Sequence, residues 1–320
     1  MRDRFGRKIE YMRLSVTDRC NMRCRYCMPD GIEKVSMDKI LTYEEILRIA
    51  EAASGLGITR FKVTGGEPLV RIGCPEFIGR LKAIPGAEQV TMTTNGMELA
   101  KYMPELMSAG LDAVNISLDT LDPEKFRYIT QCGDPEKVME GIDAAIESGI
   151  RTKINCVLQS RFNEEEVEAF ADLAFEKGID VRFIELMPVG KADRLNSVSN
   201  EKVLERLKYK YPTLEKDERI HGNGPAVYYS LPGVKGGIGL ISAMNGMFCS
   251  GCNRIRLTSQ GMIKPCLCYD YGVDIRPALA GTDEDIRSKL KEAVEMKPLQ
   301  HCFNDDPLRS DSRSMAQIGG

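Results

Sequence analysis

The chain has 320 residues, 42% of them apolar, and a formal net charge of −3. This length can bury a large core, and the small net charge gives no general attraction to nucleic acid or to an anionic membrane. No apolar run reaches the roughly eighteen residues of a membrane helix, and the opening MRDRFGRKIEYM lacks the apolar core of a secretory signal. We therefore expect a cytoplasmic protein that binds neither nucleic acid nor membrane. Its eleven cysteines point to a reducing compartment, because several of them cluster as metal ligands.

Strands and helices are predicted to alternate between residues 11 and 187. Segments with apolar residues at helical spacing separate the strands, and a glycine follows four of these helices as a stop signal. This alternation favours a parallel sheet covered by helices. At about 30 residues per unit the stretch holds six units, whereas a closed eight-stranded barrel takes about 250 residues. We expect an α/β fold, an incomplete six-unit (β/α)6 barrel, with its functional residues at the carboxyl ends of the strands. The strands are expected in YMRLSVT, FKVTGG, VTMTTN, AVNISLD, TKINCVL and VRFIEL, and the stop glycines are Gly57, Gly110, Gly149 and Gly178.

Three cysteines follow the first strand in TDRCNMRCRYC, at Cys20, Cys24 and Cys27. A structural zinc site normally uses four Cys or His ligands, whereas three thiolates on an iron–sulfur cluster leave one iron open to a substrate. A zinc site completed from elsewhere and ordinary buried thiols remain alternatives. The C-x3-C-x2-C spacing, with Tyr26 before the last cysteine, resembles the radical S-adenosylmethionine (SAM) superfamily. The resemblance implies that the open iron binds SAM and that one electron splits SAM into methionine and a 5'-deoxyadenosyl radical.

Three later strand ends carry further candidates for SAM binding. The second strand ends in Gly65-Gly66-Glu67, where paired glycines either let a backbone approach a ligand or form a tight turn. Ser117 closes the fourth strand and Met187 the sixth; alone they would be a turn former and a core residue. The resemblance implies that all five, together with Tyr26, contact SAM.

The pattern changes after residue 190, to one helix over Asn200–Lys210 and short strands in AVYYSL, IGLIS and RIRLT. We expect a barrel domain over residues 1–190 and a smaller domain over 191–320 that closes the open side of the barrel. Residues 304–320 are polar and are expected to be mobile without a partner surface.

A second set of three cysteines lies in this part of the chain, at Cys249, Cys252 and Cys266. With Cys268 included, four thiols could form a closed zinc site; without it, a second cluster would keep an open iron. We expect Cys268 to pack rather than to bind metal.

Six basic residues fall on or beside the predicted strands. Side chains alternate across a strand, so a cation that faces inward is costly unless an anion pairs with it. A converging set of cations suits a polyphosphate, to which arginine makes bidentate contacts. We expect these cations at the strand ends; they are Arg13, Lys62, Lys153, Arg182, Arg254 and Arg256.

Taken together, the two cysteine sets, the GGEP and RIR segments and the final Gly319-Gly320 resemble the GTP 3',8-cyclase family of radical SAM enzymes. That family catalyses the first step of molybdenum cofactor biosynthesis. The resemblance implies two [4Fe-4S] clusters, the second of which contacts the guanine of GTP through its open iron. The deoxyadenosyl radical would take the ribose 3'-hydrogen, and the carbon radical would attack C8 to give 3',8-cyclo-7,8-dihydro-GTP. GTP would be held by Arg13, Lys62, Thr93, Lys153, Arg182, Arg254 and Arg256, and catalysis would involve Arg254, Arg256, Gly319 and Gly320.

The same resemblance implies an external one-electron donor of the flavodoxin or ferredoxin type and a downstream cyclic pyranopterin monophosphate synthase, and it leaves a homodimer open. Two other functions are compatible with the motifs alone. One is a radical SAM enzyme that modifies peptides with the help of an auxiliary cluster. The other is a non-catalytic zinc-binding module.

Overall fold

The computed structural model describes residues 1–31, 35–189, 197–244, 248–303 and 313–318. The six predicted strands are all present in this part of the chain. Each pairs in parallel with the next, which confirms the prediction of a parallel sheet. They are β1 (Tyr11–Ser15), β2 (Arg60–Thr64), β3 (Gln89–Thr94), β4 (Ala113–Ser117), β5 (Arg151–Leu158) and β6 (Asp180–Glu185).

Six helices pack their apolar faces against the outside of these strands. The first begins with a reciprocal capping box between Thr42 and Glu45. Two others begin with an aspartate cap followed by proline, at Asp122 and Asp134. The four predicted stop glycines all have positive φ, between 66° and 87°. None of the described helices is long and apolar enough to cross a bilayer. The helices are α1 (Tyr43–Gly55), α2 (Cys74–Lys82), α3 (Leu99–Ser108), α4 (Pro123–Thr130), α5 (Pro135–Glu147) and α6 (Val167–Lys177).

The strands beyond residue 196 extend the same sheet at both of its edges. One edge runs β6-β9-β8-β7 and the other β1-β10-β11-β12. Because β9 pairs in parallel with β6, and β10 with β1, the parallel part of the sheet spans eight strands. The domain boundary at residue 190 stays a prediction. The later elements are α7 (Asn200–Lys210), β7 (Glu215–Lys216), β8 (Val227–Ser230), β9 (Gly237–Ile241), β10 (Arg254–Leu257), β11 (Met262–Lys264), β12 (Val273–Asp274), α8 (Arg276–Leu279) and α9 (Asp283–Glu295).

The two faces of the sheet differ in chemistry. On β1, Met12 and Leu14 are fully buried in the core against the helices, whereas Arg13 between them faces a cavity. On β2, Phe61 and Val63 belong to the core and Lys62 faces the cavity. Alternation of side chains along each strand therefore produces an apolar outer face and a polar inner face.

Candidate active site

Two adjoining cavities lie inside the curve of the sheet. We call the larger one, with a volume of about 360 Å³, the upper cavity, and the smaller one, with a volume of about 150 Å³, the lower cavity. Arg13, Asn155 and Arg254 line both, and they come from three different strands. The two cavities therefore form neighbouring compartments of one site, which runs along the inner face of the sheet.

The first three thiols, Cys20, Cys24 and Cys27, line the upper cavity. Their loop is held against the end of β2, where the amide of Gly66 donates to the carbonyl oxygen of Thr17 at 2.7 Å. A Cβ atom on Gly65 would lie 2.5 Å from that oxygen, and one on Gly66 would collide with the backbone of the same loop. The paired glycines, which also line the cavity, thus allow the cysteine loop to approach β2.

Glu67 has a structural role that the sequence did not predict. It lines neither cavity, and its carboxylate accepts hydrogen bonds from Leu69 N (3.1 Å), Thr94 Oγ1 (2.8 Å) and Asn95 N (2.7 Å). Burial raises the pKa of this carboxyl to about 7, against the lowering effect of these bonds. Through its side-chain oxygens, Glu67 ties the end of β2 to the end of β3, and its place beside the SAM amino group stays a prediction.

The other residues assigned to SAM, Tyr26, Ser117 and Met187, line the upper cavity as expected. Beside them lies Asp119, which the sequence reasoning missed. The Tyr26 hydroxyl donates to its carboxylate at 2.7 Å, and Val157 N donates to the other oxygen at 2.9 Å. Burial raises the pKa of Asp119 to about 6. The sequence did contain a signal for Asp119, because it follows Ser117, a predicted SAM contact, by two residues.

The second set of thiols, Cys249, Cys252 and Cys266, lines the same upper cavity, so the structure brings both sets together. Burial opposes ionisation of Cys252, but the nearby cations Arg254 and Lys297 outweigh it and lower its pKa to about 7. Lys297 was missed from the sequence; it is buried, and its Nζ donates to the carbonyl oxygens of Arg254 and Pro265, each at 2.7 Å.

The first set has a different electrostatic environment. Burial raises the pKa of Cys20 and of Cys27 to about 11 each. Within the described residues, no three His, Cys, Asp or Glu side chains converge as ligands of a single metal ion. The two sets thus offer thiols to one cavity, and in the second set nearby cations lower the pKa of Cys252, whereas burial raises that of Cys249.

Cys268 is fully buried in a small apolar cluster with Val189, Phe303 and Ile318. Its Sγ lies 2.9 Å from the Sγ of Cys302, another buried thiol of this cluster. The prediction that Cys268 packs is consistent with this burial, and Cys302 is its partner.

Five of the six basic residues lie inside their strands, and Arg254 is the first residue of β10; none lies at a carboxyl end, which corrects the expectation. Arg13 and Lys62 are each the third residue of a five-residue strand, and Arg182 is the third residue of β6. The reason is that alternate residues face inward along the whole strand. The lower cavity is lined by Arg13, Lys62, Lys153, Arg182 and Arg254, with Thr93 lining both cavities and Arg256 the upper one.

Lys62 shows most clearly that this lower cavity is built for an anion. Its side chain is buried, and the charged groups that act on it most strongly, Arg182, Arg13 and Lys153, are cations. Burial, followed by repulsion from neighbouring cations, holds its pKa well below the ordinary value. A buried ammonium group is costly without an anion, so the pocket is best satisfied by a polyanionic ligand.

The end of the chain reaches the upper cavity. Met315 and Ala316 line it, and their backbone acts to lower the pKa of the Cys27 thiol, against the larger raising effect of burial. Ile318 is fully buried, so the described residues 313–318 pack against the protein, and the mobility expected of residues 304–320 stays a prediction. Gly319 and Gly320 lie outside the described residues.

Comparison with known proteins defines the class. Residues 14–174 match the Radical SAM superfamily, and residues 179–303 match Molybdenum Cofactor Synthesis C. Native anSMEcpe with bound AdoMet has a similar fold, with a TM-score of 0.60 at 15% identity over 92% of this chain and 82% of that one. Streptococcus suis SuiB bound to S-adenosylmethionine has a TM-score of 0.59 at 16% identity, over 81% and 60%. The fold and the N-terminal thiols are those of a radical SAM enzyme, a class that uses SAM and an iron–sulfur cluster.

Closer relatives define the family. The chain is 45% identical over 325 residues to a GTP 3',8-cyclase of Alkaliphilus oremlandii and 42% identical over 323 residues to one of Clostridium perfringens (strain SM101 / Type A). A third, from Syntrophomonas wolfei, is 44% identical over 329 residues. Each comparison covers 100% of both chains. The chain belongs to the GTP 3',8-cyclase family.

Proposed function

We propose that the protein converts GTP to 3',8-cyclo-7,8-dihydro-GTP, the first step of molybdenum cofactor biosynthesis. One observation carries this proposal: two sets of three thiols share a cavity whose lower compartment is lined by buried cations. The identity of 42–45% to full-length cyclases, against 15–16% to anSMEcpe and SuiB, favours this function over another radical SAM reaction.

Both sets of thiols are proposed to hold a [4Fe-4S] cluster, with Cys20, Cys24 and Cys27 at the first and the second triad at the other. The donors fit, because thiolates are the usual ligands of such clusters and three of them leave one iron open. When bound, the first cluster and SAM supply the 5'-deoxyadenosyl radical that removes the ribose 3'-hydrogen. The protein must bind, orient and exclude water around these groups.

SAM is proposed to bind where the first thiols meet the strand ends. Gly65 and Gly66 supply backbone at close range, Tyr26 supplies an aromatic surface, and Ser117 and Met187 complete the wall. Asp119 adds a buried carboxylate that the Tyr26 hydroxyl holds in place. The Glu67 side chain stabilises this site by joining the ends of β2 and β3.

GTP is proposed to lie along the inner face of the sheet, with its triphosphate in the lower compartment. There Lys62, Lys153, Arg182 and Arg13 supply positive charge. The guanine would then lie beside the second triad, near Arg254 and Arg256, and Thr93 would lie between the two ends. Holding the nucleotide at both ends fixes the ribose between the lower compartment and the second triad, and makes hydrogen abstraction an effectively unimolecular step.

The tail is proposed to take part in turnover through Gly319 and Gly320, as the family resemblance implies. The proximity of Met315 and Ala316 to Cys27 supports this, because Gly319 and Gly320 are only three and four residues further along the sequence than Ala316. We also propose a cytoplasmic location, an external one-electron donor of flavodoxin or ferredoxin type, and a cyclic pyranopterin monophosphate synthase that consumes the product. A homodimer belongs to the same set of proposals.

Deuterium transfer tests the proposed reaction. Reconstituted protein is incubated anaerobically with SAM, dithionite and GTP deuterated at C3', and 5'-deoxyadenosine is analysed by mass spectrometry. One deuterium in the 5'-deoxyadenosine is expected, because the ribose 3'-hydrogen is the atom removed. GTP deuterated at C2' is the matched control and should transfer none. Transfer from C2', or from neither position, would refute the proposed site of abstraction.

A further inference from the structure

A chain of alternating charges ends at the lower cavity. Arg219 pairs with Asp217 at 2.6 Å, and Asp217 contacts Nε2 of His221 at 2.9 Å. The other ring nitrogen, Nδ1, lies 2.9 Å from Asp180 Oδ1, and Asp180 Oδ2 lies 2.6 Å from Lys153 Nζ. Of these five residues, His221 and Lys153 line the cavity. Of these five residues, the proposed reaction assigns a role to Lys153 alone.

The contacts of His221 define its charge. Ionised carboxylates only accept hydrogen bonds, so a ring with a carboxylate at each nitrogen donates from both and carries a positive charge. The side chain is 7% exposed, and the ring stacks on Tyr228 with the centroids 3.9 Å apart and the planes 8° from parallel. His221 is therefore held in a buried position between two carboxylates, an arrangement in which the imidazolium form satisfies both contacts.

The negative charge of Asp180 is unfavourable for phosphate binding, and a positive charge on His221 would offset it. Lys153, which is proposed to bind triphosphate, donates to Asp180 and also to the Tyr228 hydroxyl at 2.9 Å. A carboxylate this close to the phosphate site repels an anionic ligand and competes with it for the lysine. Burial lowers the pKa of Lys153 to about 8 although Asp180 acts to raise it, so the lysine is sensitive to its partners.

We propose that His221 is a positioning residue for the triphosphate: its positive charge compensates Asp180, which leaves the charge of Lys153 available to the bound phosphate. The carbonyl oxygen of His221 also accepts a hydrogen bond from Lys153, so one residue fixes the lysine through both its backbone and the carboxylate that it neutralises. This inference rests on the proposed binding of GTP in the lower cavity.

The test compares His221→Gln with the charge-balanced double variant His221→Gln/Asp180→Asn. Glutamine keeps hydrogen-bonding capacity but removes the charge and leaves Asp180 uncompensated. At pH 7 we expect His221→Gln to weaken the binding of GTP and of inorganic tripolyphosphate by about tenfold or more, because like charges at this range repel strongly in a buried site. KM for GTP should rise while kcat at saturating GTP stays within about twofold, as expected for lost binding that is common to ground and transition states.

The double variant distinguishes charge from packing. If compensation is the role of His221, removing the charge of Asp180 as well should restore binding to within about threefold of the wild type, as non-additive neighbours do. If His221 merely packs, the double variant should bind more weakly than the single one. Guanosine, which lacks phosphates, and SAM are the matched ligands, and both should bind all three proteins equally.

The outcomes also separate this inference from the proposed function. A wild-type protein that binds neither GTP nor tripolyphosphate overturns the placement of the triphosphate and the role of His221 with it. A wild type that binds both, combined with unchanged affinity in His221→Gln or no recovery in the double variant, overturns the role of His221 alone.

Discussion

Replacing Lys62 by methionine should stabilise the protein without ligand and weaken its binding of GTP. Lys62 is buried, its neighbours in the lower cavity are cations, and burial holds its pKa well below the ordinary value. Methionine fills a similar volume without a charge. The folded protein therefore loses an unfavourable group, while the triphosphate loses one of its proposed contacts.

The size of both effects follows from the environment of Lys62. A buried polar group without a partner costs about 1–3 kcal/mol. With an unfolding entropy of about 2.1 cal/mol/K per residue, the 320-residue chain should gain about 1.5–4.5 °C in its apparent midpoint. A hydrogen bond to a charged group contributes about 1.5–3 kcal/mol, so GTP should bind about tenfold to a hundredfold more weakly.

The gain in stability should depend on pH. Because the pKa of Lys62 is lower in the folded than in the unfolded chain, the unfolded chain binds more protons between these two values, and wild-type stability rises with pH in that interval. Lys62→Met lacks this group. Its advantage should therefore be largest at pH 7 and shrink as the pH approaches the ordinary lysine pKa near 10.5.

The assay is thermal unfolding of anaerobically reconstituted protein at pH 7 and pH 10, with and without GTP. Lys208→Met, an exposed lysine in the last turn of α7, is the matched control and should change neither midpoint nor affinity. A Lys62→Met protein that is less stable than the wild type without ligand, or that binds GTP as tightly, would refute the reasoning.

Three further predictions concern the thiols and their cations. Cys249→Ala should lose about half of its iron, keep SAM binding and fail to convert GTP, which iron analysis and product assays measure; conversion at the wild-type rate would remove the second triad from the reaction. Arg254→Ala should weaken GTP binding more than SAM binding in calorimetry, because Arg254 lies where the two cavities meet, beside the proposed guanine position; equal loss of both would indicate a collapsed site. Lys297→Met should shift the midpoint potential of the second cluster to a more negative value, because the ammonium near Cys252 stabilises negative charge; an unchanged potential in redox titration would contradict that role.

The fold was predictable because it rests on local patterns. The alternation of β-branched runs with helical segments predicted the six parallel strands, and the glycines after the helices predicted four helix ends that have positive φ in the structure. The two parallel additions, β9 beside β6 and β10 beside β1, were not predictable, because their pairing depends on contacts far apart in sequence. The sequence pattern identified these strands but not their neighbours.

The candidate site divides in the same way. The cysteine sets were recognisable from spacing, since their ligands lie close together in the chain. Alternation along the strands correctly predicted that Lys62 and Arg182 face inward. They were expected at strand ends, however, and they lie inside the strands because the cavity extends along the inner face of the sheet. Lys297 and His221 carry no local signal, because their partners Cys252 and Asp180 come from distant segments. Glu67 was assigned to SAM binding from its motif alone. Its side-chain hydrogen bonds to the end of β3 could not be predicted, because Thr94 and Asn95 come from a distant segment.

The central claim, two clusters that act together on GTP, is tested most directly by one experiment on reconstituted protein. Iron and sulfide are quantified anaerobically, and the same sample is then incubated with SAM and dithionite, with and without GTP. About eight irons per chain, as two four-iron clusters require, and a GTP-derived 3',8-cyclic product alongside 5'-deoxyadenosine are expected. About four irons with zinc in the second site, and GTP unchanged while SAM is cleaved, would contradict the account.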